Sequence, residues 1–288
     1  MPELPEVEGL ALDLASRLRD RAIVRVDIAA FSALKTFDPP LSALHGTLVD
    51  GVTRHGKFLD ISASGLHLVV HLSRAGWVRW REEVPQAPPR ASNKSPMAAR
   101  VHLDDGSGLD ITEAGTRKRL AIYVVRDPAD VPGVASLGPD PLEETFTIDV
   151  LGDILQTAGR AQVKGVLRHQ GTIAGIGNAY SDELLHAARM SPFKPASTVV
   201  GDDLQTLYDA IRTVIGDAVA RSRGLAAADL KGEKKSNLAV HGRTGMDCPV
   251  CGDVVREVSF ADSSLQYCAT CQTGGKPLAD RRMSKLLK

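Results

Sequence analysis

The chain opens with MPELPEVE, residues 1–8, and the interpretation of the whole sequence starts from this stretch. Met1 precedes the small residue Pro2, so removal of the initiator methionine would leave Pro2 with a free secondary amine. Such an amine titrates near pKa ~8, against ~10.4 for lysine, and is a nucleophile toward an aldehydic carbon. Glu3 is an adjacent candidate acid, base or charge stabiliser. For the stretch taken alone, ordinary helix capping by proline and acidic residues is the alternative.

Hydrophobic spacing predicts the elements of the first half of the chain. Val7, Leu10, Leu14 and Leu18 recur at helical spacing and predict an amphipathic helix over residues 5–20. Short strand-like runs separated by glycine and aspartate predict an antiparallel sandwich or barrel. These runs lie at residues 23–29, 47–52, 57–61, 67–72, 77–81, 100–103 and 121–125.

The second half of the sequence has a helical period. An acidic stretch, 133–147, predicts a hinge linker, and a short and a longer helix are predicted around 150–155 and 204–218. The turn AGIGN, residues 174–178, precedes another apolar segment, and its backbone N–H groups could hold a phosphate. A plain turn is the more frequent meaning of such a pattern. Residues 231–245 are predicted to form a basic loop.

Four cysteines form two C-x₂-C pairs that are separated by 16 residues. This spacing suits four thiolates around one tetrahedral zinc ion, with no open coordination position, so the zinc is expected to be structural. Disulfides are the alternative, which a cytosolic compartment disfavours. The four predicted ligands are Cys248, Cys251, Cys268 and Cys271.

Length and composition narrow the class of protein. A chain of 288 residues with 43% hydrophobic residues is expected to fold as two or three modules. Its apolar runs are shorter than the ~20 residues of a membrane span, and the acidic N-terminus is unlike a secretory signal. We therefore expect a cytoplasmic protein without a membrane partner. The formal net charge is zero, which neither supports nor excludes a nucleic-acid partner.

Pro2-Glu3, Lys57 within the motif HGKF, the GIGN turn and the C-terminal cysteine ribbon occur in one order. In this order they resemble the formamidopyrimidine-DNA glycosylase/endonuclease VIII family of base-excision repair enzymes, over essentially the whole chain up to Gln272. The resemblance implies an α+β fold, with an N-terminal antiparallel β-sandwich and flanking helices. A C-terminal helix–two-turn–helix module and a zinc ribbon follow.

The resemblance also implies a domain order and a partner. We expect a catalytic sandwich at 1–132, a linker at 133–147, the helix–two-turn–helix domain at 148–237, the ribbon at 238–275 and a basic tail at 276–288. The partner would be damaged double-stranded DNA, and the cofactor one structural Zn²⁺. The protein is expected to be a monomer that associates with the nucleoid when bound to DNA.

The family's chemistry can be assigned to matching residues. The Pro2 nitrogen would attack C1′ of a flipped nucleotide, release the base through an imine and cut the strand by elimination. Glu3 would assist ring opening and proton transfer, and Lys57 matches a lysine that contacts phosphate near Pro2. Glu6 matches a carboxylate near the active site. Asn178 matches the asparagine that holds a backbone phosphate in the helix–two-turn–helix module.

Several positions depart from the family pattern and predict a divergent paralogue with an altered lesion preference. Arg74 stands where a methionine usually fills the gap left by the flipped base. The usual loop with an intercalating arginine and an aromatic residue is missing, and Arg117 or Arg119 would serve in its place. Ser263 replaces a phosphate-gripping arginine of the ribbon. The segment 224–238 is shorter than the loop that covers 8-oxoguanine in the family.

Two other functions compete with a bifunctional glycosylase and abasic-site lyase. A non-excising protein of the same fold could bind damaged or abasic DNA, and the departures at Ser263 and in the missing loop favour it. Pure binding would not need a free terminal amine, however, so Pro2, Glu3 and Lys57 favour the enzyme. A zinc-ribbon adaptor for other proteins would leave the N-terminal motif and the GIGN turn unexplained.

Overall fold

The structure is a computed structural model, and it describes residues 1–90, 95–260 and 263–279. The chain divides into two compact units, Met1–Leu137 with Val219–Gly232, and Gly138–Ala218 with Glu233–Lys288. Val219–Gly232 therefore groups with the N-terminal unit, although the sequence placed these residues in the helical domain. The other domain boundaries stay predictions. Most of the predicted basic tail, residues 280–288, lies outside the described residues.

The N-terminal unit is built around an antiparallel sheet that one helix precedes and a short helix follows. Helix α1 (Leu4–Leu18) precedes eight strands whose hydrogen-bonded order is β5-β7-β6-β1-β2-β3-β4-β8. The strands are β1 (Ala22–Ile28), β2 (Thr47–His55), β3 (Phe58–Ala63), β4 (Leu66–His71), β5 (Gly76–Arg81), β6 (Met97–Leu103), β7 (Gly108–Glu113) and β8 (Ala121–Val125), followed by the short helix α2 (Pro132–Ala135).

The sheet has a weak connection at its middle, which lets it form two layers. Strands β1 and β2 share only the pairs Ala22–Leu48 and Ile23–Thr47. Side chains from the four strands on each side of this connection belong to one hydrophobic cluster, for example Val101 and Leu59. The predicted antiparallel β-sandwich is confirmed.

Helix α1 covers this core with the residues that predicted it. Val7, Leu10 and Leu14 are fully buried and Leu18 is 1% exposed. Full burial of each such side chain contributes roughly 1.5–3 kcal/mol relative to exposure. The predicted helix is therefore confirmed, and its N-terminal residues are held against the sheet by an apolar face.

Strand β7 was missed because its sequence, GLDITE, is polar at alternate positions, yet all six residues are buried. The cost of burying the Asp110 carboxylate is offset because it accepts from Arg81 Nε at 2.9 Å and from Arg100 Nε at 2.7 Å. A buried carboxylate requires such partners. They come from β5 and β6, so no local pattern shows them.

The C-terminal unit contains helices, the cysteine ribbon and the predicted GIGN turn. The helices are α3 (Ile148–Ala158), α4 (Val163–Arg168) and α5 (Asn178–Ala187), with α6 (Asp202–Ser222) and α7 (Leu230–Asn237) crossing into the other unit. Strands β9 (Val255–Ser259) and β10 (Ser264–Cys268) pair antiparallel before helix α8 (Ala269–Thr273). The predicted short and long helices are confirmed as α3 and α6.

The prediction of a loop over 231–245 is wrong in its first part, because α7 reaches Asn237. Leu230 at its start is fully buried. A Cβ atom on Gly9 would lie 2.8 Å from Leu230 Cδ2 and 2.8 Å from Ser222 Cβ, so α1 approaches both residues as closely as glycine allows. In the part of the chain that the structure describes, no helix is long and apolar enough to cross a lipid bilayer.

Candidate active site and DNA-contact residues

The N-terminus of α1 holds two buried carboxyl groups. Glu3 is the N-cap, and its backbone N–H donates to Glu6 Oε2 at 2.8 Å, while its own side chain accepts from the Glu6 backbone. Both residues are 1% exposed. This reciprocal capping box satisfies helix-end N–H groups, and the helix dipole stabilises negative charge there. Pro2, also buried, directly precedes this acidic pair, and Met1 is half exposed.

A two-residue turn between β2 and β3 carries Lys57, which is 8% exposed. Gly56 occupies the left-handed region in this turn, at φ 54°. The buried Arg54 side chain donates to the Gly56 carbonyl at 3.1 Å and to Glu8 Oε2 at 2.7 Å. Arg54 therefore connects the Lys57 turn to the helix that bears Glu3.

His71 is a neighbour of Lys57 that the sequence analysis did not identify as a candidate site residue. It pairs with Phe58 across β3 and β4, and the two ring centroids are 4.6 Å apart. Burial is the main cause that lowers the pKa of His71 from 6.5 to about 4, and the charge of Lys57 is the second cause. The imidazole is therefore neutral at pH 7 and can offer one donor and one acceptor. Its place in the predicted strand 67–72 was visible in the sequence, but its pairing with Phe58 was not.

Two loops that carry candidate DNA contacts are adjacent. The loop 72–75 carries Arg74, and residues 114–120 carry Arg117 and Arg119, all three exposed. The N–H of Ala114 donates to the Ala75 carbonyl at 3.2 Å, which joins the two loops at their bases.

The loop 114–120 is ordered from within by Glu113. Its Oε1 accepts from the backbone N–H of Arg119 at 2.8 Å and of Leu120 at 3.0 Å. Lys118 Nζ donates to the Glu113 carbonyl. The cationic loop therefore has a defined backbone course.

The strand register sets these loops beside the Lys57 turn. Phe58 pairs with His71, and His71 pairs with Ala121, the first residue after the loop 114–120. Strand β5 begins at Gly76, which pairs with Glu113. The Lys57 turn and both arginine loops thus lie at one end of the sandwich.

In the C-terminal unit, Asn178 is the last residue of the GIGN turn and the first residue of α5. Its Nδ2 donates to the Ser264 carbonyl of the ribbon at 2.8 Å, and its Oδ1 is buried without a hydrogen-bond partner among the described residues. Lys164 Nζ donates to the Asn178 carbonyl at 3.1 Å. In this arrangement one Nδ2 hydrogen of Asn178 is bonded to the zinc ribbon, so a phosphate contact would use the second Nδ2 hydrogen or replace the bond to Ser264.

The ribbon is attached to α5 by buried acids. Glu183 accepts from three successive backbone N–H groups, those of residues 239, 240 and 241, at 2.6, 3.0 and 2.8 Å. Asp182 Oδ2 lies 2.7 Å from His241 Nδ1 and 3.2 Å from the Gln266 N–H. Burial raises the pKa of Glu183, and the three N–H donors oppose this rise. The sequence did not indicate this docking.

The four predicted cysteines converge. Their Sγ atoms all lie within 4.8 Å of one another, and none forms a disulfide. A zinc ion with four Zn–S bonds of about 2.3 Å needs S–S separations of about 3.8 Å, so this donor set fits tetrahedral zinc. His186 Nε2 lies 3.2 Å from Cys248 Sγ and is a neighbour of the site.

Ser263, which stands where the family pattern has an arginine in the ribbon, is among the described residues. The carbonyl of Ser263 accepts from the Phe260 N–H at 2.7 Å between the two ribbon strands. Residues 261 and 262 lie outside the described residues.

Comparison with known proteins gives three family matches along the chain. The formamidopyrimidine-DNA glycosylase N-terminal domain matches residues 1–120, and the H2TH domain of the same glycosylase matches 137–228. A zinc finger found in FPG and IleRS matches 248–274. Together with the clustered thiols, this match identifies the cysteines as the ligands of one structural zinc ion.

Two relatives show the extent of the similarity. A formamidopyrimidine-DNA glycosylase of Symbiobacterium thermophilum is 34% identical over an alignment 295 residues long, which covers 98% of this chain and 93% of the relative. A protein of Mycobacterium tuberculosis described as an uncharacterized formamidopyrimidine-DNA glycosylase-like protein is 58% identical over 160 residues. These cover 56% of this chain and 99% of that protein.

Solved structures share the fold over nearly the whole chain. The crystal structure of MutM (Fpg) from Thermus thermophilus superposes with a TM-score of 0.80 and 29% identity, covering 96% of this chain and all of that one. A structure of MutM in complex with DNA that contains carbocyclic 8-oxo-G has a TM-score of 0.82 and 25% identity, covering 94% and 100%.

Proposed function

This chain belongs to the formamidopyrimidine-DNA glycosylase family, and we propose that it is a bifunctional glycosylase and abasic-site lyase that acts through the Pro2 amine. Membership in this family supports a DNA glycosylase of DNA repair. The amine, the strand cleavage and the choice of lesion are the finer parts of the proposal.

In the proposed reaction, Pro2 begins as a free amine once Met1 has been removed. Its lone pair forms a bond to C1′ of the flipped nucleotide, the glycosidic bond breaks, and the base leaves after gaining a proton. Opening of the sugar ring, with a proton delivered to O4′, gives an iminium ion. Loss of the C2′ proton then expels the 3′ phosphate, and a second elimination expels the 5′ phosphate.

Glu3 is proposed to supply the proton for ring opening, and Lys57 to hold a phosphate of the lesion strand. A proton transfer by a positioned carboxyl group contributes typically 10²–10⁴-fold to rate. The burial of Glu3 beside Pro2 supports this role, and so does the neutral state of His71 next to Lys57, which leaves the lysine as the cation of this pair.

The observation that carries the proposal is the pair of hydrogen bonds that Arg54 donates to Glu8 and Gly56. One guanidinium donates both to Glu8, on the helix that Pro2 and Glu3 precede, and to Gly56, next to Lys57. Preorganised groups of this kind cost little reorganisation during reaction.

The DNA contacts proposed for the enzyme lie on both units. Arg74 and Arg117 or Arg119 would fill the gap left by the flipped nucleotide, because their loops are adjacent at the Lys57 end of the sandwich. Asn178 would hold a phosphate beside the ribbon. These residues are cationic or amide donors, the groups that bind DNA phosphates and base edges.

We also propose that the lesion preference differs from that of an 8-oxoguanine enzyme. Besides Arg74 and Ser263, the segment after α6 supports this view. Trp77 Nε1 donates to the Ala227 carbonyl at 3.0 Å, and both Ala227 and Leu230 are buried in the N-terminal core. A segment held in this way is poorly suited to close over a flipped base.

Borohydride trapping tests the proposal. The Met-processed protein is mixed with duplexes that contain an abasic site, 8-oxoguanine opposite cytosine, or an oxidised pyrimidine, and mass spectrometry locates any reduced adduct. We expect an adduct at Pro2 with the abasic duplex, with weaker trapping by Pro2→Gly, which lacks the ring that orients the amine. An adduct at another residue would disprove the assignment of Pro2.

The same experiment separates lesion preference and the competing function. Excision of 8-oxoguanine at the rate of a standard family enzyme would contradict the altered preference. Measurable binding without an adduct on any duplex, after confirmed loss of Met1, would favour the non-excising DNA-binding protein.

A further inference from the structure

A cavity of about 610 Å³ opens in the N-terminal unit beside the loop 114–120. Its walls come from the segment 29–35, from the start of β6 and from the loop itself, including Thr116, Lys118 and Leu120. The volume lies within the ~300–1,000 Å³ range of binding sites for small organic groups. The reaction proposed above does not use this cavity.

Phe31 lines the cavity and is 77% exposed. It begins a single 3-10 turn, Phe31–Ala33, and the chain directly after it is fixed to β8. The Lys35 N–H donates to the Ile122 carbonyl at 2.8 Å, and Thr36 Oγ1 accepts from the Val124 N–H at 2.8 Å. The aromatic ring is therefore presented to solvent from a well-held backbone.

The charge around this ring is positive. Lys35 and Lys118 both line the cavity and both are exposed, and each ammonium group donates one hydrogen bond to a backbone carbonyl, which leaves further N–H donors for a ligand. Glu113 also lines it, but this residue is 3% exposed and its carboxylate accepts from two backbone N–H groups of the loop. The cavity thus combines an apolar aromatic face with two accessible cations, which is the chemistry that binds a nucleotide by its base and its phosphate.

The cavity lies at the end of the sandwich that carries the candidate catalytic groups. Leu120 lines it and precedes Ala121, which pairs with His71, the partner of Phe58 next to Lys57. The loop 114–120 itself contains no aromatic residue. Phe31 is an exposed aromatic side chain that lines the same cavity as this loop.

We propose that this cavity binds an unpaired nucleotide of the bound DNA, with its base stacked on Phe31 and its phosphate held by Lys35 and Lys118. The inference rests on the proposed function for its DNA partner. An unpaired base presents the π-face that stacking needs, whereas a paired base in a duplex does not. The nucleotide could be the one opposite the flipped lesion or one in a single strand.

Binding is measured with the full-length protein by fluorescence anisotropy. The probes are a duplex with a non-cleavable tetrahydrofuran abasic analogue, the same duplex intact, and a single strand. Because stacking of one base is worth ~1–3 kcal/mol, we expect Phe31→Ala to weaken binding to the tetrahydrofuran duplex about tenfold. The intact duplex should change by less than about twofold.

Three variants control this result. Phe31→Trp keeps an aromatic face and should retain wild-type affinity, and Phe31→Leu keeps an apolar side chain but should show the loss. Phe37→Ala removes another exposed phenylalanine, 90% exposed and outside the cavity, and should bind like wild type. Lys118→Ala tests the phosphate contact independently if a Phe31 variant does not fold.

A 2-aminopurine opposite the tetrahydrofuran site reports stacking directly. We expect its fluorescence to change on binding wild type and Phe31→Trp, and to change less with Phe31→Leu. A loss confined to the tetrahydrofuran duplex identifies the nucleotide opposite the lesion, and an equal loss on the single strand identifies a general single-strand site. Both results support the proposal.

Wild-type affinity and fluorescence of Phe31→Leu and Lys118→Ala would overturn the proposal, and so would an equal loss on the intact duplex. Because the analogue cannot be cleaved, these results do not depend on Pro2 chemistry. A failed borohydride trap with intact Phe31-dependent binding would reject the lyase and keep the nucleotide site.

Discussion

The Nε atom of Arg54 lies 2.7 Å from the Glu8 carboxylate, and with the bond from Arg54 to the Gly56 carbonyl this ion pair connects the helix capped by Glu3 to the turn that carries Lys57. The Arg54 side chain is 5% exposed and the Glu8 side chain 25%. Partial burial strengthens the attraction but makes each charge costly to leave alone. These Arg54 bonds therefore fix the position of Glu3 relative to Lys57, two candidate catalytic residues that are distant in sequence.

Loss of Glu8 should destabilise the protein and disturb its chemistry. Glu8→Ala leaves the Arg54 guanidinium without this carboxylate, so we expect a loss of about 3 kcal/mol in the free energy of unfolding. Urea unfolding measures this loss, and borohydride trapping should slow. Glu8→Gln keeps a neutral acceptor and should cost less. Equal stability of Glu8→Ala and wild type would show that the Arg54–Glu8 ion pair does not stabilise the protein.

Glu3→Gln should separate catalysis from capping. An amide oxygen can still accept from the Glu6 N–H, so thermal stability should stay within a few degrees of wild type. The proton needed for ring opening is lost, so single-turnover formation of the iminium ion, measured by borohydride trapping, should fall about 10²-fold or more. Trapping at the wild-type rate would show that Glu3 does not supply this proton.

His71 should make stability depend on pH. Its folded-state pKa of about 4 lies below the 6.5 of the free side chain, because burial and Lys57 disfavour the charged form. Between these two values the unfolded chain binds a proton that the folded chain excludes, so the free energy of unfolding falls as pH drops from 6.5 to about 4. The contribution is at most about 3 kcal/mol.

Urea unfolding at several pH values checks this dependence. His71→Gln should flatten the slope in that window. In an NMR titration, Lys57→Met should raise the pKa of His71, whereas Lys35→Met, at an exposed lysine, should not. An unchanged slope in His71→Gln would assign the pH dependence to other groups.

The sequence predicted those parts of the site whose signal is local. The spacing of Val7, Leu10 and Leu14 is enough to define α1, and the two C-x₂-C pairs are enough to define the zinc ligands. Each signal depends on residues that are close in sequence and on geometry that follows from their spacing.

The remainder depends on pairing between distant strands. Asp110 is buried with Arg81 and Arg100 as its partners, and the sequence does not show that these residues meet. His71 acquires its environment from Phe58, and Phe31 acquires a cavity from a loop more than 80 residues later. Helix α7 was missed because its anchor, Leu230, packs where Gly9 permits close approach.

Removal of zinc should weaken DNA binding. Cys268→Ser removes one of four ligands, so we expect the chain to lose its single zinc ion, measured by atomic absorption, and the ribbon to lose order. Affinity for an abasic duplex should fall about tenfold or more, since structural zinc stabilises the folded ribbon directly. Ser263→Ala, in the same ribbon, should retain zinc. Full DNA affinity in a metal-free variant would exclude the ribbon from the interface.

Lys164 should be essential to the stability of the C-terminal unit. Its Nζ lies 2.7 Å from Asp182 Oδ1 and 2.6 Å from Ser181 Oγ, and the Asp182 side chain is fully buried. Lys164→Met removes a buried cation from a buried carboxylate, which costs about 3–5 kcal/mol. Lys194→Met breaks a more exposed pair with Asp203 and should cost less than about 1 kcal/mol.

A double-mutant cycle distinguishes the ion pair from simple loss of packing. Asp182→Asn alone leaves the Lys164 charge in a buried site, but Lys164→Met with Asp182→Asn removes both charges. We therefore expect the double variant to be more stable than the sum of the single losses predicts, by about 1–3 kcal/mol in urea unfolding. Zinc retention should follow the same order, because Asp182 also accepts from the Gln266 N–H of the ribbon. Additive losses would mean that Lys164 stabilises the unit through Ser181 and the Asn178 carbonyl rather than through Asp182.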